Sequence, residues 1–567
     1  MNKRLMFSAA LVMALLLANA QKRAFTIEDL YKVKGVFSVS LSPDGKTVCY
    51  TASSSDLKNQ KSSSDIYIMN ADGSHVKALT ENGKSSSAVW SKDGKSIFFT
   101  NYEKGTAQIF RMDLTTCETE QVTDYELGIG SPVISPDERY IAFTAEVYPD
   151  LGADAKANKA RMEKKEQGPV QAHIADKLLY RHWTSYNDGR CNHLILFDTQ
   201  TKTYKDLTPG NYSLIFVVGG GITYQFSPDS KEICFVSNHD EHQEASTNAD
   251  LWTVSVNGGE PVCITKENKA WDGTPAYSPD GKYIAYRLQQ VPGYESDRFR
   301  LAIYDRAAKK STILTEKFDN WVDDYKWAPD SKSIFFLGQV QGAEPLYKLD
   351  IARKTISPVL TGKAISEFDF DNKGMLYYTY STTGKPSEDV MKVTDKLATL
   401  EYVDSTRMGA MGWSYGGYMM NWLQGHTKRF KCLASMMGVY DLRSMWGSTE
   451  EVWFPNFELE GQPYNSDLYE KWSPSSYIKN FSTPTLVMTG ELDYRVPYTQ
   501  SLQYFTALQT LNIPSRLIVL KYDGHWPSNL KSMPLYYNAH LDWFHRYLGG
   551  APAPWDTEKM VNNEIEY

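Results

Sequence analysis

Residues 412–416 of this 567-residue chain have the sequence Gly-Trp-Ser-Tyr-Gly. The pattern Gly-x-Ser-x-Gly is typical of a sharp turn between a strand and a helix, in which small glycines let the turn close and the serine hydroxyl stands above a sheet. The flanking residues fit this geometry, because 407–412 predict a short buried strand and apolar residues recur near helical spacing over 415–426. We therefore interpret Ser414 as a candidate nucleophile.

A serine nucleophile needs a histidine base, and the imidazole needs a carboxylate that holds its tautomer. In α/β-hydrolases the three residues follow the order Ser, Asp or Glu, His. Asp493 follows a predicted buried strand at 484–490, and His525 follows another at 516–520. Parallel sheets of this class place their active sites at the carboxyl ends of the strands. The sequence therefore predicts an α/β-hydrolase domain with Ser414, Asp493 and His525 as its catalytic triad.

Each of these residues also has a structural interpretation. Ser414 could be an ordinary turn serine, Asp493 a loop acid and His525 a surface histidine, but their shared order and spacing favour the triad. Glu491 competes with Asp493 as the orienting acid. Asp523 is predicted to be a turn former instead.

The N-terminal two-thirds of the chain is repetitive. Turn signals such as Ser-Pro-Asp-Gly precede β-rich runs at residues 42–45, 91–94, 135–138, 227–230, 278–281, 328–331 and, weakly, 371–374. Each unit closes on an apolar residue followed by threonine, at Thr80, Thr123, Thr208, Thr265, Thr315, Thr361 and Thr394. Short strands repeated at this period are the signature of propeller blades. We expect a seven-bladed β-propeller over residues 21–395.

The third repeat contains an insertion at about residues 148–192. Its middle, 154–167, is rich in Lys, Glu and Ala and predicts an exposed helix. Long insertions in compact domains are often functional. Two interpretations of the insertion stay open: a flap that faces the substrate, and an enlarged surface loop without a function.

With these motifs the chain resembles the prolyl oligopeptidase family of serine peptidases, most closely its dipeptidyl-peptidase 5 and acylaminoacyl-peptidase branch. The resemblance lies in residues 412–418, 490–497 and 523–525. It implies the same three triad residues and a propeller over the active site that restricts entry to short or unfolded peptides. We assign no cofactor and no metal.

One part of the hydrolase domain is missing from the sequence. Only about a dozen residues separate the last repeat from the strand at Arg407, and a single βαβ unit takes about 30 residues. The resemblance implies that this region supplies the first strands and a tyrosine donor to the oxyanion hole. We expect residues 401–567 to lack these strands, which leaves an exposed sheet edge. The backbone N–H of Tyr415 is then the one expected oxyanion donor, at a cost of about 10²–10³ in rate.

Substrate-binding residues are predicted mainly through the resemblance. Dipeptidyl peptidases need acidic groups for the free amino terminus, and Glu295 and Asp297 in the segment 293–298 are candidates here. A structural Asp–Arg turn is the competing and favoured interpretation of this segment. Tyr494, Val496 and Trp526 flank triad residues and could line the pocket beside the cut bond, which would then prefer apolar or small side chains.

Composition limits the partners and the compartment. The net charge of −8 argues against nucleic acid and anionic membranes as partners. Residues 1–20 have the charged start, short apolar segment and small-residue end of a signal peptide, so we expect export to the periplasm or the medium. No later stretch reaches membrane-spanning length. The six cysteines are scattered and receive no pairing. The His-Asp-Glu-His run at 239–242 lacks further spaced ligands, so no metal is assigned.

The first functional hypothesis is a secreted serine exopeptidase that releases dipeptides through an acyl-enzyme. Acylaminoacyl-peptidase and oligopeptidase activities are the alternatives within the family. A hypothesis of another class is a peptide-binding propeller protein whose hydrolase half is impaired by the missing strands. A homodimer is left open.

Overall fold

The computed structural model describes residues 26–214, 223–340, 343–362, 364–370, 376–381, 394–395 and 397–565. The predicted signal peptide at 1–20 lies outside these residues. A short helix, α1 (Ile27–Lys32), precedes the first sheet. Two domains follow it along the chain.

The N-terminal domain is a ring of consecutive antiparallel sheets, six of four strands and a last one with two described strands. The first two blades are β1 (Gly35–Leu41), β2 (Thr47–Asp56), β3 (Lys61–Asn70) and β4 (Lys77–Ala78), then β5 (Ser85–Trp90), β6 (Ser96–Asn101), β7 (Gln108–Asp113) and β8 (Thr119–Gln121). The third blade is β9 (Gly130–Ile134), β10 (Tyr140–Val147), β13 (Cys191–Asp198) and β14 (Thr203–Asp206), and the insertion between β10 and β13 contains β11 (Arg181–His182) and β12 (Ser185–Tyr186). The remaining blades are β15 (Tyr224–Phe226), β16 (Glu232–Ser237), β17 (Asp250–Ser255) and β18 (Val262–Cys263); β19 (Asp272–Tyr277), β20 (Tyr283–Leu288), β21 (Arg300–Asp305) and β22 (Lys310–Ile313); β23 (Val322–Trp327), β24 (Ser333–Gly338), β25 (Leu346–Asp350) and β26 (Thr355–Leu360); and β27 (Ala364–Phe370) with β28 (Leu376–Ser381). Strand β1 lies against β27, which closes the ring. The predicted seven-bladed propeller is confirmed.

The recurring Ser-x-Asp turn has the same structural role in five blades of the propeller. In the first blade Ser42 Oγ donates a 2.7 Å hydrogen bond to Asp44, and the amide of Thr47 donates to Ser42 Oγ at 2.9 Å. These bonds close the hairpin between the first two strands of the blade. The same Ser–Asp bond occurs at Ser91–Asp93, Ser135–Asp137, Ser227–Asp229 and Ser278–Asp280.

The closing threonines satisfy buried backbone. Thr80 Oγ1 accepts a 2.9 Å hydrogen bond from the amide of Ile66 on β3 and donates to Asp65. A buried amide left without a partner would destabilise the blade. The same amide-to-threonine bond joins Ile109 to Thr123, Leu194 to Thr208, Leu251 to Thr265 and Leu301 to Thr315.

The insertion connects β10 and β13 of the third blade. These two strands stay paired up to the residues that flank the insertion, with Val147 opposite Cys191. The insertion contains helix α2 (Ala155–Gln167), where the sequence predicts an exposed helix, and then the two-stranded hairpin β11–β12. This hairpin reaches the C-terminal domain.

The C-terminal domain contains a parallel sheet of four strands in sequential order. The strands are β29 (Gly409–Trp413), β30 (Cys432–Met436), β31 (Thr485–Gly490) and β32 (Ser515–Leu520). The helices are α3 (Tyr415–His426), α4 (Leu442–Trp446), α5 (Trp453–Glu458), α6 (Leu468–Trp472), α7 (Thr499–Thr510), α8 (Met533–Leu548) and α9 (Thr557–Val561), with a 3₁₀ segment at Pro474–Asn480. Ala410 packs with α3 residues and its neighbour Gly409 lies against α8, so these helices cover opposite faces of the sheet.

Strand β29 is an edge of this sheet. Among the described residues it pairs only with β30, and residues 394–395 and 397–408, the described part of the chain before it, contain no strand. Met411 in its middle is 49% exposed. That the chain lacks the first strands of the domain stays a prediction. No helix within the described part of the chain has the length and apolarity to cross a membrane.

Candidate active site

Ser414 occupies a strained turn between β29 and α3. Its φ of 57° and ψ of −116° lie outside the regions that side chains other than glycine ordinarily adopt. A Cβ at Gly412 would lie 2.2 Å from the carbonyl oxygen of Gly416, and a Cβ at Gly417 would lie 2.5 Å from that of Met436. The two glycines therefore allow the turn to close against itself and against β30.

The three predicted triad residues form one hydrogen-bonded chain. Ser414 Oγ lies 2.8 Å from His525 Nε2, and His525 Nδ1 lies 2.8 Å from Asp493 Oδ2. Asp493 is fully buried and His525 is 4% exposed. Because a carboxylate at Nδ1 fixes the proton there, Nε2 is left as the acceptor of the serine proton.

The loops that carry Asp493 and His525 hold each other in place. Asp493 Oδ1 accepts a 2.9 Å hydrogen bond from the amide of Val496. A Cβ at Gly490 would lie 2.3 Å from the carbonyl oxygen of Asp523, so the loops after β31 and β32 are in close contact. Asp523 accepts from two amides of its own loop, which is the turn role predicted for it. Glu491, the competing acid, is exposed.

The oxyanion side of the site is open. Tyr415 is the first residue of α3, so its N–H is among the amides without a partner inside the helix and can donate to an oxyanion. Its side chain is 72% exposed. A Cβ at Gly416 would meet no atom within 4 Å.

The insertion hairpin contacts both catalytic loops. The amide of Tyr494 donates a 3.3 Å hydrogen bond to the carbonyl of Trp183. Gly524, which precedes the predicted triad residue His525, lies directly against Thr184. Arg181 donates to the carbonyl of Ser448 in the hydrolase domain. Of the two interpretations of the insertion, these contacts favour one that faces the substrate site.

A buried acidic cluster lies where the hairpin meets the hydrolase domain. We use this name for His182, Glu450, Glu451 and Arg495. His182 Nε2 lies 3.1 Å from Glu451, and Arg495 Nη1 donates to the same carboxylate at 2.5 Å. Arg495 Nε lies 3.5 Å from Glu450 Oε1. The two glutamates are 4% and 1% exposed.

The two glutamates of the cluster differ electrostatically. Burial raises the pKa of Glu450, with His182 and Arg495 opposing it. Burial acts the same way on Glu451, but its bonds to His182 and Arg495 outweigh that effect and hold its pKa below the ordinary value. Ligand atoms of His182, Glu450 and Glu451 lie within 4.8 Å of one another, which a metal ion could bridge. Arg495 is already the cation between the carboxylates, so we assign no metal here.

Sequence reasoning did not identify this cluster. The adjacent pair Glu450-Glu451 stands beside apolar Val-Trp-Phe at 452–454, and acidic residues next to an apolar run were the available signal. Their partners on the hairpin are 267 to 269 residues away along the chain.

Glu295 lies near the cluster but outside it. Its loop packs on the hydrolase domain through Tyr294, whose ring stacks on Phe457 at 4.8 Å. Glu295 is exposed to solvent on one side, although partial desolvation raises its pKa and Arg495 opposes the shift. Asp297 binds the amides of its own turn and pairs with Arg300 at 3.3 Å, which is a structural role.

The remaining predicted pocket residues have different environments. Tyr494 packs on the hairpin, with Tyr186 at 5.6 Å and the guanidinium of Arg181 over its ring at 4.5 Å. Val496 is 5% exposed in an apolar cluster and orients Asp493 through its amide. Trp526 is 53% exposed and packs on His525. That these three line the substrate pocket stays a prediction.

Comparison with known families supports both halves of the fold. Residues 375–551 match the prolyl oligopeptidase family. Residues 21–165 match the TolB β-propeller domain, and residues 153–292 match the N-terminal region of dipeptidyl peptidase IV.

Several proteins that are similar to this chain in sequence or structure are named as peptidases. The chain is 26% identical to dipeptidyl-peptidase 5 of Porphyromonas gingivalis over 90% of this chain and 94% of that protein, and 21% identical to dipeptidyl-peptidase 5 of Schizosaccharomyces pombe over 94% and 96%. The P. gingivalis alignment runs over 649 residues, more than this chain contains, so that relative has segments that this chain lacks. The structure of Pyrococcus horikoshii acylaminoacyl peptidase shares the fold, with a TM-score of 0.75 and 18% identity over 95% of this chain and all of that one.

Proposed function

We propose that the protein is an exopeptidase that releases dipeptides from the free N-termini of short peptides, because its C-terminal part matches the prolyl oligopeptidase family of serine peptidases. The observation that carries the proposal is the hydrogen-bonded chain from Ser414 through His525 to Asp493 beside a buried acidic cluster. The dipeptidyl-peptidase names of its relatives support the substrate class.

The triad performs the two steps of acyl transfer. Ser414 Oγ attacks the peptide carbonyl while its proton moves to His525 Nε2, and Asp493 stabilises the resulting imidazolium. His525 then gives this proton to the leaving amine as the C–N bond breaks. Water attacks the acyl-enzyme in the same way, with its proton taken by His525, and Ser414 is restored. The N–H of Tyr415 stabilises the oxyanion in both steps.

The charge of the cluster supports recognition of a free amine. Glu450 and Glu451 are buried carboxylates that share one guanidinium, and Glu295 adds a third carboxylate nearby. Glu450 Oε1 is buried and makes no hydrogen bond within the described part of the chain. A buried charge with too few partners is costly. A substrate ammonium would supply the missing donor and positive charge.

The open side of the turn at Ser414 affects the expected turnover rate. With one oxyanion donor in place of two, turnover is expected to be lower by about 10²–10³ than in a site with both. The triad geometry itself does not depend on the missing strands, because its loops follow β29, β31 and β32. We therefore expect a slow enzyme. The alternative is a peptide-binding protein without turnover.

The test compares free and blocked substrates. Dipeptidyl-aminomethylcoumarins with a free or an acetylated N-terminus are offered to the parent, to Ser414→Ala and to Glu450→Gln. We expect cleavage of the free form by the parent, none by Ser414→Ala, and a KM raised at least about tenfold in Glu450→Gln with kcat nearly unchanged. Preference for the acetylated form would identify an acylaminoacyl-peptidase, and cleavage inside longer peptides an oligopeptidase.

We also propose that the protein is exported. The support is the charged start and the short apolar segment of residues 1–20, which predict cleavage near Gln21. N-terminal sequencing of the protein recovered from the periplasm or the medium tests this. A mature protein that retains residues 1–20 in the cytoplasm would contradict it.

A further inference from the structure

We propose that Trp183, at the tip of the insertion hairpin, is a specificity-determining residue that contacts the side chain of the N-terminal residue of the substrate. The inference rests on the proposed dipeptide-releasing function and names the substrate preference of that site. Trp183 belongs to the propeller insertion, whereas the triad belongs to the hydrolase domain.

The backbone of Trp183 is held in an unfavourable conformation. It is the first residue of the two-residue turn between His182 and Ser185, which face each other across the hairpin. Its φ is 52°, a region in which a bulky side chain is a genuine outlier and where turns ordinarily have Gly, Asn or Asp. Such strain persists only where the surroundings impose it, and it concentrates at functional sites.

Two hydrogen bonds to the hydrolase domain hold the backbone of Trp183 in this conformation. The amide of Trp183 donates to Glu450 Oε2, and its carbonyl accepts from the amide of Tyr494 at 3.3 Å. Glu450 belongs to the acidic cluster, and Tyr494 follows the catalytic aspartate directly. The strained residue is thus fixed between the two features that the substrate must reach.

The ring of Trp183 lies between the cluster and the triad. Its centroid is 4.6 Å from that of Trp526, the neighbour of the catalytic histidine, and the guanidinium of Arg495 lies 4.7 Å above it. Trp526 in turn lies 5.5 Å from Trp413, the neighbour of the nucleophile. The indole of Trp183 is only partly buried by these contacts.

A bound peptide has to pass this ring. With its scissile carbonyl at Ser414 and its ammonium at the acidic cluster, a dipeptide unit runs beside Trp526 and Trp183. Two extended residues span about 7 Å, so the side chain next to the ammonium lies at the end marked by Trp183. An indole offers a rigid apolar surface, which favours an apolar or aromatic side chain at that position over glycine.

The test measures binding without turnover, in the Ser414→Ala protein. The tripeptides Phe-Ala-Ala and Gly-Ala-Ala, both with free amines, are titrated calorimetrically into Ser414→Ala and into Ser414→Ala/Trp183→Ala. We expect Phe-Ala-Ala to bind at least about tenfold more tightly than Gly-Ala-Ala in the first protein. In the second this ratio should fall below about threefold, while the affinity for Gly-Ala-Ala changes little. Trp183→Phe should retain most of the preference.

A matched control separates specificity from a structural effect. Trp252→Ala removes a partly buried propeller indole that stacks on His239, and it should leave the ratio unchanged. The proposal is overturned if Trp183→Ala leaves the ratio intact, if it weakens both peptides equally, or if the Ser414→Ala protein binds neither peptide. Cleavage of free-amine substrates by the parent is measured separately. A parent that cleaves them while the ratio ignores Trp183 would refute this inference and leave the proposed function standing.

Discussion

Two glycines of the nucleophile turn should respond oppositely to the same added methyl group. In Gly412→Ala the new Cβ would lie 2.2 Å from the carbonyl oxygen and 2.3 Å from the carbonyl carbon of Gly416. Ordinary contacts are 3.4 Å or longer, so the backbone of the turn would have to move by more than 1 Å. Overpacking costs about 1–3 kcal/mol where side chains can adjust. Backbone atoms cannot rotate away, so we expect Gly412→Ala to lose at least about 3 kcal/mol of folding stability. Because Ser414 lies in this turn, a displacement of about 1 Å should also lower its labelling rate by about 100-fold.

Gly416→Ala is the matched control, since its Cβ would meet no atom within 4 Å. It lies in the first turn of α3, where Ala favours the helix over Gly by up to about 1 kcal/mol. The assay is the rate at which a fluorophosphonate labels Ser414, together with thermal unfolding. Gly416→Ala should label like the parent. Labelling of Gly412→Ala at the parent rate, or loss of labelling in Gly416→Ala, would refute the description of the turn and of its open side.

Three further results are expected. Burial alone would lower the pKa of His193, but its hydrogen bonds to Asp206 and other partners outweigh this and raise it to about 9. The stabilisation of the folded protein by these hydrogen bonds to protonated His193 should be complete below pH 6.5 and lost as the pH rises through 9. The thermal unfolding temperatures of the parent and of His193→Gln should therefore converge above pH 9, and a pH-independent difference between them would contradict this. Hydrogen exchange should be faster in 409–413, at the sheet edge, than in 485–490, and equal protection would mean that the edge is covered. Asp493→Asn should lower kcat by about 10⁴ with little change in KM, and a small effect on kcat would exclude its orienting role.

Local chemistry explains why much of the fold could be predicted. The Ser-x-Asp turns and closing threonines satisfy their hydrogen bonds within one blade, so each repeat of sequence specifies one repeat of structure. The meeting of Ser414, His525 and Asp493 could be predicted because Asp493 and His525 each follow a buried strand, and parallel strands bring such positions together. The missing strands were predicted from the short segment between the last repeat and Arg407, which cannot hold a βαβ unit.

The contacts between the domains could not be predicted in the same way. Glu450 and Trp183 are 267 residues apart, and only the packing of the hairpin on the catalytic loops brings them together. A tryptophan in a left-handed turn position contradicts local preference, so no turn rule would place it there. Tyr494 was predicted from its neighbour Asp493, but its ring packs on the hairpin because Arg181 and Tyr186 cover it. In this site, being next to a triad residue in the sequence therefore predicts a contact with substrate less well than being at the end of a strand predicts membership of the triad.

The most direct test of the account is fluorophosphonate labelling of the purified parent beside Ser414→Ala. The probe reports whether the serine, the histidine and the aspartate act together, and it does not require the substrate to be known. The account predicts labelling of the parent alone, abolished by prior heat denaturation. A soluble, folded parent that does not label would contradict the central claim that the triad is assembled on the four-stranded sheet, and would leave the propeller as the working part of the protein.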